Sequence, residues 1–170
     1  MQMTESGTSW IKRIVVAADG SPASVRGLEQ VADLAPRIGA KVTAIFVRHL
    51  ATGTMMAPSM TSAASAEALD DQEAEVRSDV TRILGSTGAV WEFVVRAGSP
   101  GEEIVQLADE TAADLVVVGS NRHSSLHNLV LGSTAAYLAT HSRPPVLVMR
   151  PREASSTVEA PAEATGGMRS

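Results

Sequence analysis

The chain has 170 residues, 44% hydrophobic and 19% charged, with a formal net charge of −5. That length suits one domain with a sizeable core, and the acidic balance argues against a nucleic-acid binder working through bulk positive charge. The absence of cysteine excludes disulfides, thiol catalysis and Cys-based zinc sites.

Met1 to Gly7 is polar and unlike a signal peptide, and no apolar run approaches the ~18 residues of a membrane span. The expectation is a soluble cytoplasmic protein without a membrane or nucleic-acid partner. Residues 1–10 and the Ser/Ala/Glu/Thr/Gly mixture at 152–170 lack periodicity and cannot offset their ordering entropy, so both read as disordered tails. The domain spans 11–151.

Within it, apolar β-branched runs alternate with helical patterns. Ile14–Ala18 is a continuous apolar run, as a strand covered on both faces requires, and it ends at Asp19-Gly20-Ser21. Ser21 to Ile38 carries Val25, Leu28, Val31, Ala32, Leu34 and Ala35 at helical steps, with Gly39 as its C-cap. Val42–Val47 is the second strand. The Met/Ser/Thr/Ala stretch between Leu50 and Ala66 reads as a loop, and Glu67 to Leu84 as a helix closed by Gly85.

Val90–Val95 is the third strand. The helix from Pro100 to Ala112 has Pro near its first position and Glu102 and Glu103 in its first turn, where the helix dipole favours anions. Leu115–Val118 is the fourth strand, stopped by Gly119. A short helix over Ser133–Thr140 and a fifth strand, Val146–Met149, complete the domain. The alternation predicts an α/β doubly wound parallel sheet of five strands with helices on both faces. Such sheets bind ligands outside the carboxyl ends of their strands, which directs attention to Asp19, Val47, Gly98 and the segment after Val118.

That segment runs from Gly119 through a polar stretch to Gly132-Ser133-Thr134 at a helix start. Glycines that admit close approach, hydroxyl donors and free helix N–H groups suit a phosphate. Equally, Gly119 reads as a strand-end turn and Ser133 as a plain N-cap. Spacing alone leaves both readings open.

Three sets of residues together resemble the universal stress protein family: Val15-Val16-Ala17-Ala18-Asp19-Gly20-Ser21, Gly98-Ser99-Pro100, and Gly119 with Gly132-Ser133. The resemblance covers Ile11 to Arg150. It implies an adenine nucleotide alpha hydrolase-like fold of strand order 3-2-1-4-5 and a homodimer paired through Val146–Met149. It also implies a stress-response regulator holding ATP or a related adenine nucleotide, with Mg2+ only alongside the nucleotide. Carried over by position, Asp19 lies near the adenosine and Val47 offers backbone groups to adenine. Gly119, Gly132, Ser133 and Thr134 line the phosphates. The family's pattern is Gly, two residues, Gly, nine residues, Gly, then Ser or Thr. Arg122 stands where the second Gly belongs. Its side chain either obstructs the site or turns a guanidinium onto a phosphate. Some family members lack the pattern and bind no ATP.

Other constellations are weaker. His123 and His127 are four apart, as a metal pair on a helix would be, but no third ligand is near. His141 after the fourth helix reads as structural and His49 as a loop residue without a role. Asp19 lacks the second Asp of a haloacid-type phosphatase, since Ser21 stands there. It also lacks the acidic neighbour, acceptor Asp and Lys of a receiver domain. No nucleophile elbow or P-loop run is present. The acidic stretch Glu67, Asp70, Asp71, Glu73, Glu75, Asp79 reads as a solvated helix face, and Met55, Met56 and Met60 as loop residues.

No general base is evident, so the expected function is nucleotide binding with at most slow ATP hydrolysis. The alternative is a nucleotide-independent dimer acting through protein partners, its motif degraded at Arg122.

Overall fold

The computed structural model describes residues 9–49, 63–120 and 131–150. The expectations for Arg122, His123, His127, the three loop methionines and most of both tails lie outside them.

The elements follow in chain order: β1 (Arg13–Ala17), α1 (Pro22–Ile38), β2 (Lys41–His49), α2 (Ala63–Leu84), β3 (Val90–Gly98), α3 (Pro100–Glu110), β4 (Leu115–Gly119), α4 (Ser133–His141) and β5 (Val146–Met149). The five strands form one sheet in the order β3-β2-β1-β4-β5, and every pairing is parallel.

Strand periodicity divides the core in two. Ile14, Val16 and Ala18 of the first run, with Val42, Ala44, Phe46, Leu115 and Val117, pack against α1 and α2. Val15, Ile45, Val116 and Val118 face the other way, onto Ile104 and Leu107 of α3 and Ala135 and Leu138 of α4. Burying each such aliphatic side chain stabilises the fold by about 1.5–3 kcal/mol, which is why these runs are apolar at every position.

The first helix carries its own boundary signals. Ser21 is an extended N-cap whose side chain accepts from the Ser24 N–H, Pro22 follows, and Gly39 closes the helix at φ 65°, a left-handed conformation that favours glycine. In α3, Glu102 and Glu103 occupy the first turn as expected.

Several boundaries differ from the sequence reading. β2 runs on to His49 and β3 to Gly98, paired as Val47↔Arg96, Arg48↔Ala97 and His49↔Gly98. The apolar pattern stops short there because Arg48 and Arg96 enter ion pairs rather than the core. His49 is thus a strand residue, not a loop residue. α2 begins at Ala63, so the expected loop is helical at its end. α3 ends at Glu110, and His141 is the last residue of α4.

At their entering ends β1 and β4 are bridged by Asp114, whose Oδ2 accepts from the backbone N–H groups of Lys12 at 2.8 Å and Arg13 at 2.9 Å. At their exits the two strands diverge. β1 leads into α1 on one face of the sheet, while α4 lies against the other. The crevice between these exits is the switch point of the topology.

Candidate functional site

A cavity of about 160 Å³ opens in that crevice. Its walls come from Ala17, Ala18 and Asp19 at the exit of β1, Ile45 and Val47 of β2, Val118 and Gly119 of β4, Pro100 and Ile104 of α3, and Gly132 to Ala135 at the start of α4. Asp19, Val47, Gly119, Gly132, Ser133 and Thr134, far apart in sequence, therefore meet around one space. A second cavity of about 350 Å³ adjoins it, sharing Pro100, Ser133 and Thr134 and reaching His49, Ser99, Gly101 and Tyr137.

The Asp19 corner is held by a short circuit of hydrogen bonds. Asp19 Oδ1 accepts from the Ser21 N–H at 2.9 Å, and the Asp19 N–H donates to Ser24 Oγ at 3.3 Å. Ser24 Oγ in turn donates to the Ser21 carbonyl at 3.1 Å. Ser24 is buried, so the circuit satisfies its hydroxyl. Sequence reasoning missed Ser24 as a lining residue; a Ser three places after an N-cap Ser was the available signal.

Gly119 has a reason that spacing did not suggest. A Cβ there would lie 2.7 Å from the Ser24 nitrogen and 2.9 Å from the Ala23 carbonyl carbon. The absent side chain lets the first turn of α1 press onto the exit of β4, bringing the Asp19 corner and the β4 exit together.

The start of α4 is built differently. Its N-cap is Gly132, not Ser133, with no side-chain capping bond and no acidic residue in the first turn. The first N–H groups of a helix have no partner within it, and the dipole adds positive character there. At α3, Ser99 also makes no side-chain cap, but Glu102 and Glu103 supply negative charge.

Charges around the cleft are mostly paired. The carboxyl of Glu73 is held below the ordinary carboxylate range by hydrogen bonds from Arg77 and Arg48. Arg96 does the same for Glu110 and lies 3.6 Å from Glu103. Glu73, at 16% side-chain exposure, is thus not part of a solvated face. Among the described residues no three His, Asp or Glu side chains are grouped as a metal site would need. Nor is any described helix long and apolar enough to cross a membrane.

A parallel doubly wound sheet with an apolar slot at its switch point, ending on a helix whose N-cap is a glycine, defines an α/β domain of the Rossmann-like nucleotide-binding kind. The model of the Universal stress protein family matches residues 11–150, and the chain belongs to that family.

A universal stress protein of Methanocaldococcus jannaschii is 27% identical over 145 residues, covering 85% of each chain. UspA from Lactobacillus plantarum superposes with a TM-score of 0.70 at 24% identity, covering 84% of this chain and 99% of the other. A universal stress protein solved in complex with cAMP has a TM-score of 0.63 at 26% identity, covering 85% of this chain and 100% of its own. A member from Arabidopsis thaliana with AMP bound scores 0.59 at 20% identity, covering 89% and 99%.

Proposed function

We propose that this universal stress protein is a cytoplasmic regulator of the stress response that binds an adenine nucleotide with little or no turnover. The observation that carries the reading is the apolar slot leading onto the uncapped, acid-free start of α4. The base would lie between Ile45, Val47 and Val118, with backbone groups at Val47 within reach of its edge. Asp19 would accept from the sugar hydroxyls. Gly132, Ser133 and Thr134 would take the phosphates on free N–H groups and two hydroxyls. Ligand pockets commonly span about 300–1,000 Å³, and the smaller cavity reaches that range only together with its neighbour, which shares Pro100, Ser133 and Thr134. A relative of 26% identity that holds cAMP supports the ligand class. Asp19 is the one carboxylate lining the smaller cavity among the described residues, and its Oδ1 is engaged by Ser21. That favours binding over activation of water. Mg2+ would arrive with a polyphosphate rather than occupy a protein site.

Calorimetric titration with ATP, AMP and cAMP, with and without Mg2+, tests this. The expected result is saturable binding at micromolar concentration that Gly132→Val or Asp19→Ala abolishes. A folded protein that gives no heat with any of them would overturn it. Arg122→Gly then separates the two sequence readings: tighter binding marks an obstructing side chain, weaker binding a phosphate partner.

The second reading, a dimer acting through protein partners independently of nucleotide, is favoured by the edge strand β5, where Leu147 is 44% exposed. Pairing of two β5 strands would cover it. Light scattering should then find a dimer that Leu147→Lys dissociates, and a monomer at micromolar concentration would remove that interface.

A further inference from the structure

The β1–β2 ladder ends at Ala17↔Ile45, with one further bond from the Ala18 N–H to the Ile45 carbonyl at 2.8 Å. Beyond it β1 turns away at Asp19, while β2 continues beside β3. The exits of β1 and β2 both line the cavity, yet past Ala18 no ladder bond sets their separation. α3 packs against both exits through Ile104, but among the described residues α2 is the helix whose side chains hydrogen-bond to both.

Alternation along β2 turns Val47 toward the α3/α4 side and Arg48 toward α2. Arg48 Nε donates to Glu73 Oε2 at 2.8 Å, and Arg48 Nη2 lies 2.7 Å from Asp70 Oδ1. One turn of α2 also meets the other exit. Gln72 Nε2 donates to the Asp19 carbonyl at 3.3 Å, and Val76 packs beside Gly20, where a Cβ would sit 3.4 Å from it. Arg77 holds the second oxygen of Glu73 at 2.9 Å, which orients that carboxylate for Arg48.

We propose that Arg48 and Gln72 are positioning residues of the cleft, through which α2 holds the exits of β1 and β2 at the spacing the bound nucleotide requires. The ligand half of this proposal rests on the nucleotide reading above; the geometric half does not. Arg48 uses two guanidinium nitrogens toward two carboxylates, a planar fork that lysine cannot reproduce. Neither residue lines the smaller cavity, so both act through Val47 and Asp19.

The test uses the full chain as wild type, Arg48→Met, Arg48→Lys, Gln72→Ala and the double variant Arg48→Met with Gln72→Ala. Titration with cAMP and ATP, thermal unfolding, and amide exchange at Ala18, Asp19 and Gly20 are measured on each. Arg48→Met should weaken binding about two- to fivefold, the size of one well-placed ion pair, with Arg48→Lys between it and wild type. Gln72→Ala should follow with a smaller loss. Exchange at Ala18 and Asp19, whose N–H groups bond the Ile45 carbonyl and Ser24 Oγ, should quicken severalfold at unchanged protection in β4. Unchanged affinity with unchanged exchange would overturn the proposal, as would an affinity loss matched by uniformly faster exchange throughout the sheet. If wild type itself binds no nucleotide, the ligand reading falls, and the exchange data alone decide whether α2 holds the two exits.

Discussion

The helices α1 and α4 begin on either side of the same crevice, yet their first turns are built in opposite ways. At α1 the donors are consumed locally: Ser21 Oγ accepts from the Ser24 N–H at 3.2 Å, and Asp19 accepts from the Ser21 N–H. At α4 the cap is Gly132, with no side chain to offer and no acid in the first turn. Side chains close the first turn of α1, whereas among the described residues none caps the first turn of α4. Position at a switch point therefore does not by itself make an anion site; the local side chains decide which helix start remains open.

Substitutions at each helix start break or sharpen this contrast. The largest effect should come from Gly119→Val, because the new Cβ would meet backbone at 2.7 Å from the Ser24 nitrogen. Overpacking of this kind costs about 3 kcal/mol, and denaturant unfolding should show it. An unchanged midpoint would mean the α1 turn can retreat without loss. Ser21→Ala should cost about 1 kcal/mol by removing the cap that completes α1. Ser133→Asp should act oppositely on stability and binding. An acid in the first turn of α4 should stabilise the unliganded protein by about 0.5 kcal/mol while repelling phosphate. Melting temperature and calorimetric affinity moving in the same direction would contradict an open helix start.

The smallest effect concerns the far end of the same strand pair. Asp114 accepts from the backbone N–H groups of Lys12 and Arg13, which hold its carboxyl below the ordinary value of 3.8. A depressed carboxylate stabilises the fold fully above the unfolded value and loses that contribution as pH falls through the folded one. Asp114→Asn should therefore flatten the stability profile below about pH 4 and leave its shape at neutral pH unchanged. Acid titration of unfolding checks this, and an unaltered acid limb would show that the carboxylate adds nothing.

Much of the fold was legible because its strands are buried on both faces. Ile14–Ala18 and Leu115–Val118 are apolar at every position, which a two-sided parallel sheet demands and a half-exposed sheet would not. Ser21, Pro22 and Gly39 marked the ends of α1 in plain chemical terms. The extensions of β2 and β3 were hidden because charged residues in paired positions look like loop. Glu73 illustrates the same blindness: in an acidic stretch it reads as solvated, yet it receives Arg48 and Arg77. Of the cleft, the resemblance picked out Asp19, Val47, Gly119 and Gly132 to Thr134 as a set, while Ile45 and Ile104 carried no local mark of their role.

By itself the sequence determined the alternation of strands and helices, the two-faced core and the glycines at the strand exits, because burial and backbone conformation act on neighbouring residues. Only the tertiary structure decided what those exits face. Gly119 serves the approach of α1, Gly132 gives α4 an N-cap without a side chain, and one turn of α2 reaches two strand exits at once. Those outcomes depend on distances between elements far apart in the chain, which no local pattern encodes.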